Sequence, residues 1–251
     1  MGYNLPRKYF SASQFNKYMN CPQAYYRDYI LDEEPPERLR STALSIGSSV
    51  HYLSEVFIKA QLALKETTPE DVIASTNLDD FFEDTDLEGL PPEYWVEQSQ
   101  ILFKVWYKGM GNILIPTASE FGFDSLVGDV PVKGFIDYID NSSGVTEIVD
   151  LKVTKKAKSQ LDAKNSAQLA IYAITQKNPC VRFDSVVRSK NPRGVSTRYT
   201  FSASELGYFT DLVGEVATNI SKGNFPMANP TNWICSEKWC QHYAECRGKI
   251  R

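Results

Sequence analysis

The stretch VPVKGFIDYIDNSSGVTEIVDLKV, residues 130–153, decides the fold. Its first run, Val130–Asp140, is rich in β-branched and aromatic residues at alternating positions, and so is its second run, Val145–Val153. Asn141–Gly144 between them consists of turn-forming residues, so two antiparallel strands are predicted. Upstream, Thr117–Val127 has the same strand character, and Gly128-Asp129 is a second turn signal. The segment therefore predicts a three-stranded β-meander.

Three charged residues interrupt the apolar parts of these strands. Asp137 ends the run Gly-Phe-Ile-Asp, and Asp150 and Lys152 lie in Ile-Val-Asp-Leu-Lys. Burying such groups is costly unless they are paired or bind a cation. Because side chains alternate along a strand, Asp150 and Lys152 share one face of the sheet. If the four-residue turn joins the strands directly, Asp137 faces Ile148 and Asp150 is its diagonal neighbour, about 7–8 Å away.

Two carboxylates at that distance repel each other, and a divalent cation between them relieves the repulsion. Asp137, Asp150 and Lys152 are therefore predicted to hold such a cation and to direct a water molecule at a phosphodiester. The ordinary alternative is an exposed aspartate at a strand end beside a simple Asp/Lys ion pair. With a two-residue hairpin loop at Gly128-Asp129, Glu120 lies opposite Asp137 and joins the same group.

Helical and strand patterns surround the meander. His51 follows Gly47 in a long helical pattern, although a single helical histidine is usually a packed or surface residue. Gln168 and Tyr172 are one turn apart and share a helix face. The order of helices, meander, helix and further strands predicts an α/β fold. The predicted helices are Ser11–Asn20, Leu44–Leu64, Tyr94–Met110, Lys164–Gln176 and Ser204–Lys222, the further strands are Val181–Ser189 and Tyr199–Ser202, and Glu33–Pro36 is a predicted loop.

The charge distribution is uneven along the chain. The whole sequence of 251 residues carries 27 basic and 31 acidic residues, a net charge of -4. Taken alone, this net charge argues against a protein that binds nucleic acid. Lys152–Arg198, however, contains eleven Lys or Arg and two acids, a local net charge of +9. This block suits a polyanion, because phosphate contacts dominate nucleic-acid affinity; the alternative is a solvated basic surface. The acidic stretch Asp79–Glu97 is predicted to be a solvated face. Candidate nucleic-acid contacts are Lys155, Lys156, Lys158, Arg188, Lys190 and Arg193.

Four of the five cysteines form a widely separated set. Cys21 lies near the start of the chain, and Cys235, Cys240 and Cys246 lie near its end. Four thiolates can hold either a 4Fe–4S cluster or a zinc ion, and the spacing alone does not choose between them. Cys180 begins an apolar run and is predicted to be a packed thiol. His242 lies among the cysteines and is either a zinc ligand or, more often in such places, a neighbouring or surface residue.

No targeting or membrane signal stands out. Met1–Phe10 has no long apolar run, and no stretch approaches the roughly 18–20 apolar residues of a membrane span. We therefore expect a cytoplasmic protein with reduced thiols, or one in the host cytoplasm if it is phage-encoded. The aromatic side chains of Tyr25, Tyr26, Tyr29 and Trp95 could stack on bases, but aromatic residues at helical spacing usually belong to the core.

As a set, these motifs resemble the PD-(D/E)xK nuclease superfamily, in its RecB-like branch with an iron–sulfur cluster. That branch includes AddB-type recombination nucleases, CRISPR-adaptation nucleases and phage exonucleases. The resemblance runs from about Ser11 to Cys246, with two departures: no proline precedes Asp137, and Cys235 and Cys240 are separated by four residues where two are usual. The motifs that carry it, in chain order, are Ser11–Phe15 with Cys21-Pro22, Gly47–His51, Glu120, Gly134–Asp137, Asp150-Leu-Lys152 and Gln168–Tyr172.

The resemblance implies a metal-dependent DNA nuclease, more specifically an exonuclease on single-stranded or end-containing DNA, in recombination, repair or phage DNA processing. It implies that His51, Asp137 and Asp150 bind Mg²⁺ or Mn²⁺, and that Lys152 is catalytic. Glu120, Gln168 and Tyr172 would complete the catalytic set, and Cys21, Cys235, Cys240 and Cys246 would hold a 4Fe–4S cluster, with zinc as the lesser alternative. A recombination or replication protein would be a partner. The alternative function is a catalytically silent iron–sulfur module that binds DNA for a partner protein.

The resemblance also implies an architecture. We expect a restriction-endonuclease-like core, which is a mixed central sheet flanked by helices, in a single domain over residues 1–251. Residues 117–190 would form its catalytic core and residues 44–110 its helical part. Residues 11–30 and 224–246 would together form a clasp built on the four cysteines.

Overall fold

The computed structural model describes residues 3–33 and 39–247, so the predicted loop Glu33–Pro36 lies outside the described residues beyond Glu33. The helices agree with the sequence pattern within a few residues at most ends. They are α1 (Ala12–Asn20), α2 (Pro22–Tyr29), α3 (Thr42–Leu62), α4 (Pro69–Ser75), α5 (Pro92–Gly109), α6 (Gln160–Lys164), α7 (Ala167–Gln176), α8 (Ala203–Ser221) and α9 (Tyr243–Cys246). The strands are β1 (Arg40–Ser41), β2 (Thr85–Asp86), β3 (Pro116–Val127), β4 (Val130–Asp140), β5 (Glu147–Thr154), β6 (Cys180–Val187) and β7 (Arg193–Thr200).

Five of the strands form one mixed sheet in the order β3-β4-β5-β6-β7. β4 and β5 are antiparallel, β5 and β6 are parallel, and β6 and β7 are antiparallel. A parallel pair needs a crossover connection, and α6 and α7 supply it between β5 and β6. A mixed central sheet flanked by helices is the predicted architecture, and it fits a restriction-endonuclease-like core.

The register of β4 and β5 differs from the prediction by two residues. Asp140 pairs with Glu147, and Tyr138 pairs with Val149, whereas a four-residue turn would have paired Asp140 with Val145. The predicted turn was too short because Asp140 organises a longer one: its side chain accepts hydrogen bonds from the Ser142 backbone N–H and hydroxyl. Since side chains alternate with period two, a shift of two leaves every residue on its predicted face.

The predicted helix Lys164–Gln176 corresponds to α7, which begins three residues later, and the pattern missed the short helix α6 before it. Ser159 caps α6 in a reciprocal capping box with Asp162, and that helix ends at Lys164. Ser166 then begins α7 by accepting a hydrogen bond from the Leu169 N–H. Serine and aspartate favour such caps over the interior of a helix. The break therefore lies at Asn165-Ser166, where the last residue capping α6 is followed by the residue that begins α7.

The described chain divides into two compact units, and the single domain over residues 1–251 stays a prediction. One unit contains Leu39–Gly122 and Phe135–Ser202. Its core joins α3 and α5 to one face of the sheet, where Trp106 packs edge-on against Phe57 and Tyr138.

The other unit contains Met1–Arg38, Phe123–Gly134 and Ala203–Arg251. Phe10 is fully buried there, forms a parallel bridge with Val132 and contacts the rings of Phe15 and Tyr25. Within residues 3–33 and 39–247, no helix combines the length and apolar character needed to cross a membrane.

A buried ion network lies on the face of the sheet that packs against α3 and α5. Arg182, on β6, is 2% exposed and contacts Asp140, Glu147 and Asp184 at 2.6–3.0 Å. Burial alone would raise the pKa of Asp140, but hydrogen bonds from Ser142, Ile115 and Arg182 outweigh it and lower that pKa. Arg182 lies within the basic block of the sequence but is not accessible to a polyanion. The ordinary interpretation of a solvated basic residue is therefore wrong for this position.

We expect Arg182→Met to lower the free energy of unfolding by about 3–5 kcal/mol, because it leaves buried carboxylates without their cation. Arg198→Met is the matched control: Arg198 bonds the same Glu147, but its side chain is 52% exposed, so its loss should cost about 1 kcal/mol or less. Urea denaturation of the three proteins at pH 7 measures both effects. Equal losses in the two variants would contradict the assigned role of Arg182.

Candidate active site

Asp150 and Lys152 form the centre of a polar cluster in the sheet unit. Asp150 is 1% exposed, and Lys152 Nζ lies 2.7 Å from its Oδ2 and 3.0 Å from its Oδ1. The hydrogen bond of Lys152 goes to Oδ1, so Oδ2 is a buried oxygen that accepts no hydrogen bond from the described residues. Burial raises the pKa of Asp150 to about 6, despite the attraction of Lys152. This carboxylate is therefore short of positive charge.

Asp137 lies beside Asp150, where the pairing of β4 and β5 ends. Its Oδ2 accepts a hydrogen bond from the Leu151 N–H at 2.6 Å, so a side chain replaces the backbone acceptor expected from a regular ladder. Its Oδ1 faces His51 Nδ1 at 3.7 Å. Burial raises the pKa of Asp137 to about 6, against the opposing effect of Lys152. The predicted diagonal arrangement is replaced by a closer one, because of the two-residue shift in register.

His51 is supplied by α3, whose neighbouring residues Val50 and Leu53 belong to the core. Burial lowers the pKa of His51 and outweighs the attraction of Asp150. The imidazole is thus neutral at pH 7, which is the form that binds a metal or accepts a proton. The structure brings His51 and Asp137 together, as the resemblance implied.

Glu120 lies within electrostatic reach of Asp137. Burial raises its pKa to about 7, with further contributions from the charges of Asp137 and Glu55. Its backbone has a φ of 46°, in the left-handed region, so β3 is irregular at this position. Strand alternation did not predict this irregularity, and the motifs did not include Glu55, although it lies one helical turn after His51.

The helix α7 contributes a pair of side chains that extends the cluster. Gln168 Nε2 donates a hydrogen bond to the Tyr172 hydroxyl at 2.8 Å, and Gln168 Oε1 accepts one from Lys152 Nζ at 3.4 Å. Tyr172 is 5% exposed, and burial raises its pKa, so the phenol stays neutral. A continuous chain of contacts therefore runs from Tyr172 through Gln168 and Lys152 to Asp150.

The predicted nucleic-acid contacts differ in exposure. Lys155, Lys156, Lys190 and Arg193 are exposed, and two others, Lys158 and Arg188, are half-buried. The backbone of Lys158 is tied to the sheet, because its N–H donates to Ser185 and its carbonyl accepts from Thr197. Their role in binding stays a prediction.

The donor set at the two aspartates suits Mg²⁺ or Mn²⁺. Carboxylate oxygens and an imidazole nitrogen are ordinary ligands of these ions. Asp150 Oδ2 is buried and accepts no hydrogen bond from the described residues, although the Lys152 ammonium lies 2.7 Å away. Among the described residues, however, the ligand atoms of His51, Asp137 and Asp150 do not all lie within 4.8 Å of one another. Binding an ion therefore requires a shift of these side chains or of Lys152.

The four predicted cluster cysteines lie in the other unit and line one cavity, beside Ala24 and Met227. Cys21 is buried between α1 and α2, and the other three lie in the C-terminal segment. Burial raises the pKa of Cys240, and the charges of the other three cysteines raise it further. Within the described part of the chain no three of these sulfur atoms lie within 4.8 Å of one another, so the thiols are not clustered around a single metal ion.

His242 is buried at 4% exposure, so the interpretation as a surface residue is wrong. Its Nε2 lies 2.5 Å from Asp28 on α2, and the His242 backbone N–H bonds the Cys240 sulfur. The histidine therefore connects the C-terminal segment to α2. Cys180 lies on β6 and is half-buried, outside the cavity of the other four cysteines.

Comparison with known proteins identifies the family. A family model described as the PD-(D/E)XK nuclease superfamily matches residues 9–247. The chain belongs to the PD-(D/E)XK nuclease superfamily. Membership supports nuclease activity, and hence a DNA-hydrolysing enzyme. No curated protein matches the chain.

Solved structures are similar in fold to this PD-(D/E)XK chain. A protein from Eubacterium rectale, provisionally named an exonuclease, matches with a TM-score of 0.60 and 15% identity, over 94% of this chain and 88% of that chain. At this identity the likeness shows the fold alone. SSO0001 matches over 92% of this chain and 96% of that chain with 14% identity, but its TM-score of 0.38 is too low to bear on the fold.

We expect Asp150→Asn to raise the free energy of unfolding in EDTA at pH 8 by about 1–2 kcal/mol. A carboxyl group whose pKa is higher in the folded than in the unfolded protein opposes folding as the pH rises from about 4 to about 6, and the amide removes this cost. Urea denaturation at pH 5 and pH 8 measures the difference.

The matched control for this variant is Asp124→Asn. Asp124 is an exposed aspartate that is also paired with a lysine, Lys133. Its substitution should change stability by less than about 1 kcal/mol. A less stable Asp150→Asn protein at pH 8 would contradict the inferred shortage of positive charge at the site.

Proposed function

We propose that this protein is a divalent-metal-dependent deoxyribonuclease that acts on single-stranded DNA or on DNA ends. The observation that carries the proposal is the convergence of Asp137, Asp150 and Lys152 on one face of the sheet, where a buried and a half-buried carboxylate lie near a single ammonium group of the described residues. The superfamily supports the nuclease; the metal, the substrate and the roles of individual residues are our inference.

We infer that His51, Asp137 and Asp150 would hold Mg²⁺ or Mn²⁺, with Glu120 at the margin of the group. When bound, the ion would lower the pKa of a water molecule and offset negative charge on the phosphate. The raised pKa values of the two aspartates favour this assignment, because a cation restores the charge balance that burial disturbs.

Lys152 has the geometry of a catalytic cation. Its ammonium group is held between Asp150 and Gln168, and its side chain is 31% exposed, so a substrate can reach it. From there it would position the attacking water or stabilise the charge that develops on the phosphate. Gln168, fixed by Tyr172, would set the direction of the ammonium group.

The exposed cations would bind the DNA backbone. Lys155 and Lys156 directly follow the end of β5, the strand that carries Lys152, and Lys190 lies between β6 and β7, whose first residue is Arg193. Phosphate contacts of this kind add affinity without sequence preference. We propose a cytoplasmic role in recombination, repair or phage DNA processing, with a recombination or replication protein as partner.

We also propose that the chain belongs to the RecB-like branch and that Cys21, Cys235, Cys240 and Cys246 hold a 4Fe–4S cluster. A tetrahedral zinc ion with Zn–S bonds of about 2.3 Å would place its sulfur atoms about 3.8 Å apart. The wider spacing of the thiols favours a larger group, and a four-iron cluster takes the same four thiolate ligands.

The test of the nuclease is degradation of end-labelled linear single-stranded DNA with Mn²⁺, with Mg²⁺ and with EDTA. We expect metal-dependent cutting that Lys152→Ala lowers by at least about 100-fold, because one charge-stabilising group is lost at the reacting phosphate. DNA binding by that variant in EDTA should stay at the wild-type level. The matched control is Lys104→Ala, which removes an exposed lysine of α5 and should cut normally.

Two outcomes would contradict the assignment. Normal turnover by Lys152→Ala would show that Lys152 has no catalytic role. Failure of the intact wild-type protein to cut linear or circular DNA with either metal would favour the catalytically silent binding module instead.

The cluster is tested by metal analysis of anaerobically purified protein. We expect a brown protein with about four iron atoms per chain, and Cys240→Ser should lose iron and unfold at a lower temperature. Cys180→Ser, which changes the one cysteine outside the cavity, should keep its iron. One equivalent of zinc without iron, in a colourless protein, would contradict the proposal.

A further inference from the structure

An aromatic groove lies in the unit that carries the cysteines, on the side of α2 away from its buried face. Its volume is about 790 Å³, within the range of small-ligand sites. Tyr26 and Tyr29 line it from α2, and Phe225 lines it from the segment after α8. All three rings are half-buried, so part of the surface of each ring is accessible.

The rings of the groove are held in place by buried neighbours. Tyr25, which is fully buried, stacks against Phe225 at 6.2 Å and lies 4.8 Å from the ring of Tyr29. Tyr18 donates a hydrogen bond to the carbonyl of Asn224, next to Phe225. The aromatic surface is therefore preorganised, and a ligand would bind without ordering it first.

The polar part of the groove is neutral and carries both donors and acceptors. Asn4, Gln23 and Ser221 supply two side-chain amides and a hydroxyl, and the described lining residues include no acid. The amides of Asn4 and Gln23 make no side-chain hydrogen bond to the described residues. Planar rings beside free amide groups match the faces and edges of a nucleobase.

Cations stand at the margin of the groove. The guanidinium of Arg7 lies over the Tyr29 ring, 5.1 Å from its centre, so a base that stacks on this face of Tyr29 takes the place of Arg7. Lys222 is exposed and lies in the chain between two lining residues, Ser221 and Gly223. Cations around an uncharged aromatic surface suit a chain of bases joined by phosphates.

We propose that this groove is a second binding site for single-stranded DNA, in which an unpaired base stacks on Tyr26 or Tyr29 and flanking phosphates meet Arg7 and Lys222. The inference rests on the proposed nuclease for the identity of the nucleic acid. The groove adds a site that recognises unpaired bases. The cations near the proposed catalytic residues contact phosphates and do not recognise bases. A duplex, whose bases are already stacked, gains nothing from this groove.

The test is binding of a fluorescein-labelled 20-mer in EDTA, in an Asp150→Asn background, followed by fluorescence anisotropy. We expect Tyr29→Leu to weaken binding of the single strand about tenfold, the effect of losing one base-stacking contact. Binding of a duplex of equal length should be unchanged. An abasic 20-mer should bind the two proteins equally, because it offers no base to stack.

Asn4→Asp keeps the size of an exposed side chain and adds a negative charge to the groove, so it should also weaken binding of the single strand. This variant tests the groove if Tyr29→Leu fails to fold. Tyr208→Leu is the matched control, since Tyr208 is 63% exposed on α8 and does not line the groove. Unchanged affinity of Asn4→Asp and of folded Tyr29→Leu for the single strand would overturn the proposal. So would binding of a proline-rich peptide in the groove with no effect of either variant on DNA.

The outcome is separable from that of the nuclease. Cutting by the wild-type protein together with normal binding by the groove variants would overturn the groove alone. If the wild-type protein does not cut DNA but the groove variants lose single-strand binding about tenfold, the nuclease proposal is overturned and the groove proposal is supported.

Discussion

The contact of Arg182 with three acidic residues fixes the alignment of the central strands. Its partners lie on β4, β5 and β6, so a slip of any of these strands would separate buried charges at a cost of several kcal/mol. Arg182 pairs across the sheet with Val149, and Asp150 is the next residue along β5. Because neighbouring side chains point to opposite faces, the network on one face determines where Asp150 points on the other.

The negative charge of the carboxylates is balanced to different extents on the two faces of the sheet. In the network of Arg182, the guanidinium groups of Arg182 and Arg198, hydroxyl groups and backbone N–H groups satisfy the carboxylates, and the pKa of Asp140 falls. Around Asp137 and Asp150 the only nearby ammonium is that of Lys152 among the described residues, and both pKa values rise. The first arrangement stabilises the fold. The second leaves Asp137 and Asp150 with too little positive charge around them, and a bound cation would supply it. A charge imbalance of this kind is typical of a site that binds one.

Much of this arrangement could be predicted from the sequence, for identifiable reasons. The bounds of β4 were predicted without error, and Asp150 and Lys152 lie together as expected, because period-two alternation survives a two-residue shift. The shift itself was not predictable from turn composition, since it depends on Asp140 bonding Ser142 within the loop. The burial of Arg182 and the left-handed backbone of Glu120 are tertiary effects, and neither the run of basic residues nor the strand pattern carries a signal for them.

The separation of the cysteine-bearing unit into Met1–Arg38, Phe123–Gly134 and Ala203–Arg251 has a consequence for biosynthesis. A ribosome delivers the chain from its amino terminus, so the sheet unit, complete by Ser202, is available for folding before the last of these segments emerges. The first helices must wait for α8 and for the final cysteines. Oxidation of Cys21 during that interval would change a thiol that is buried in the completed unit.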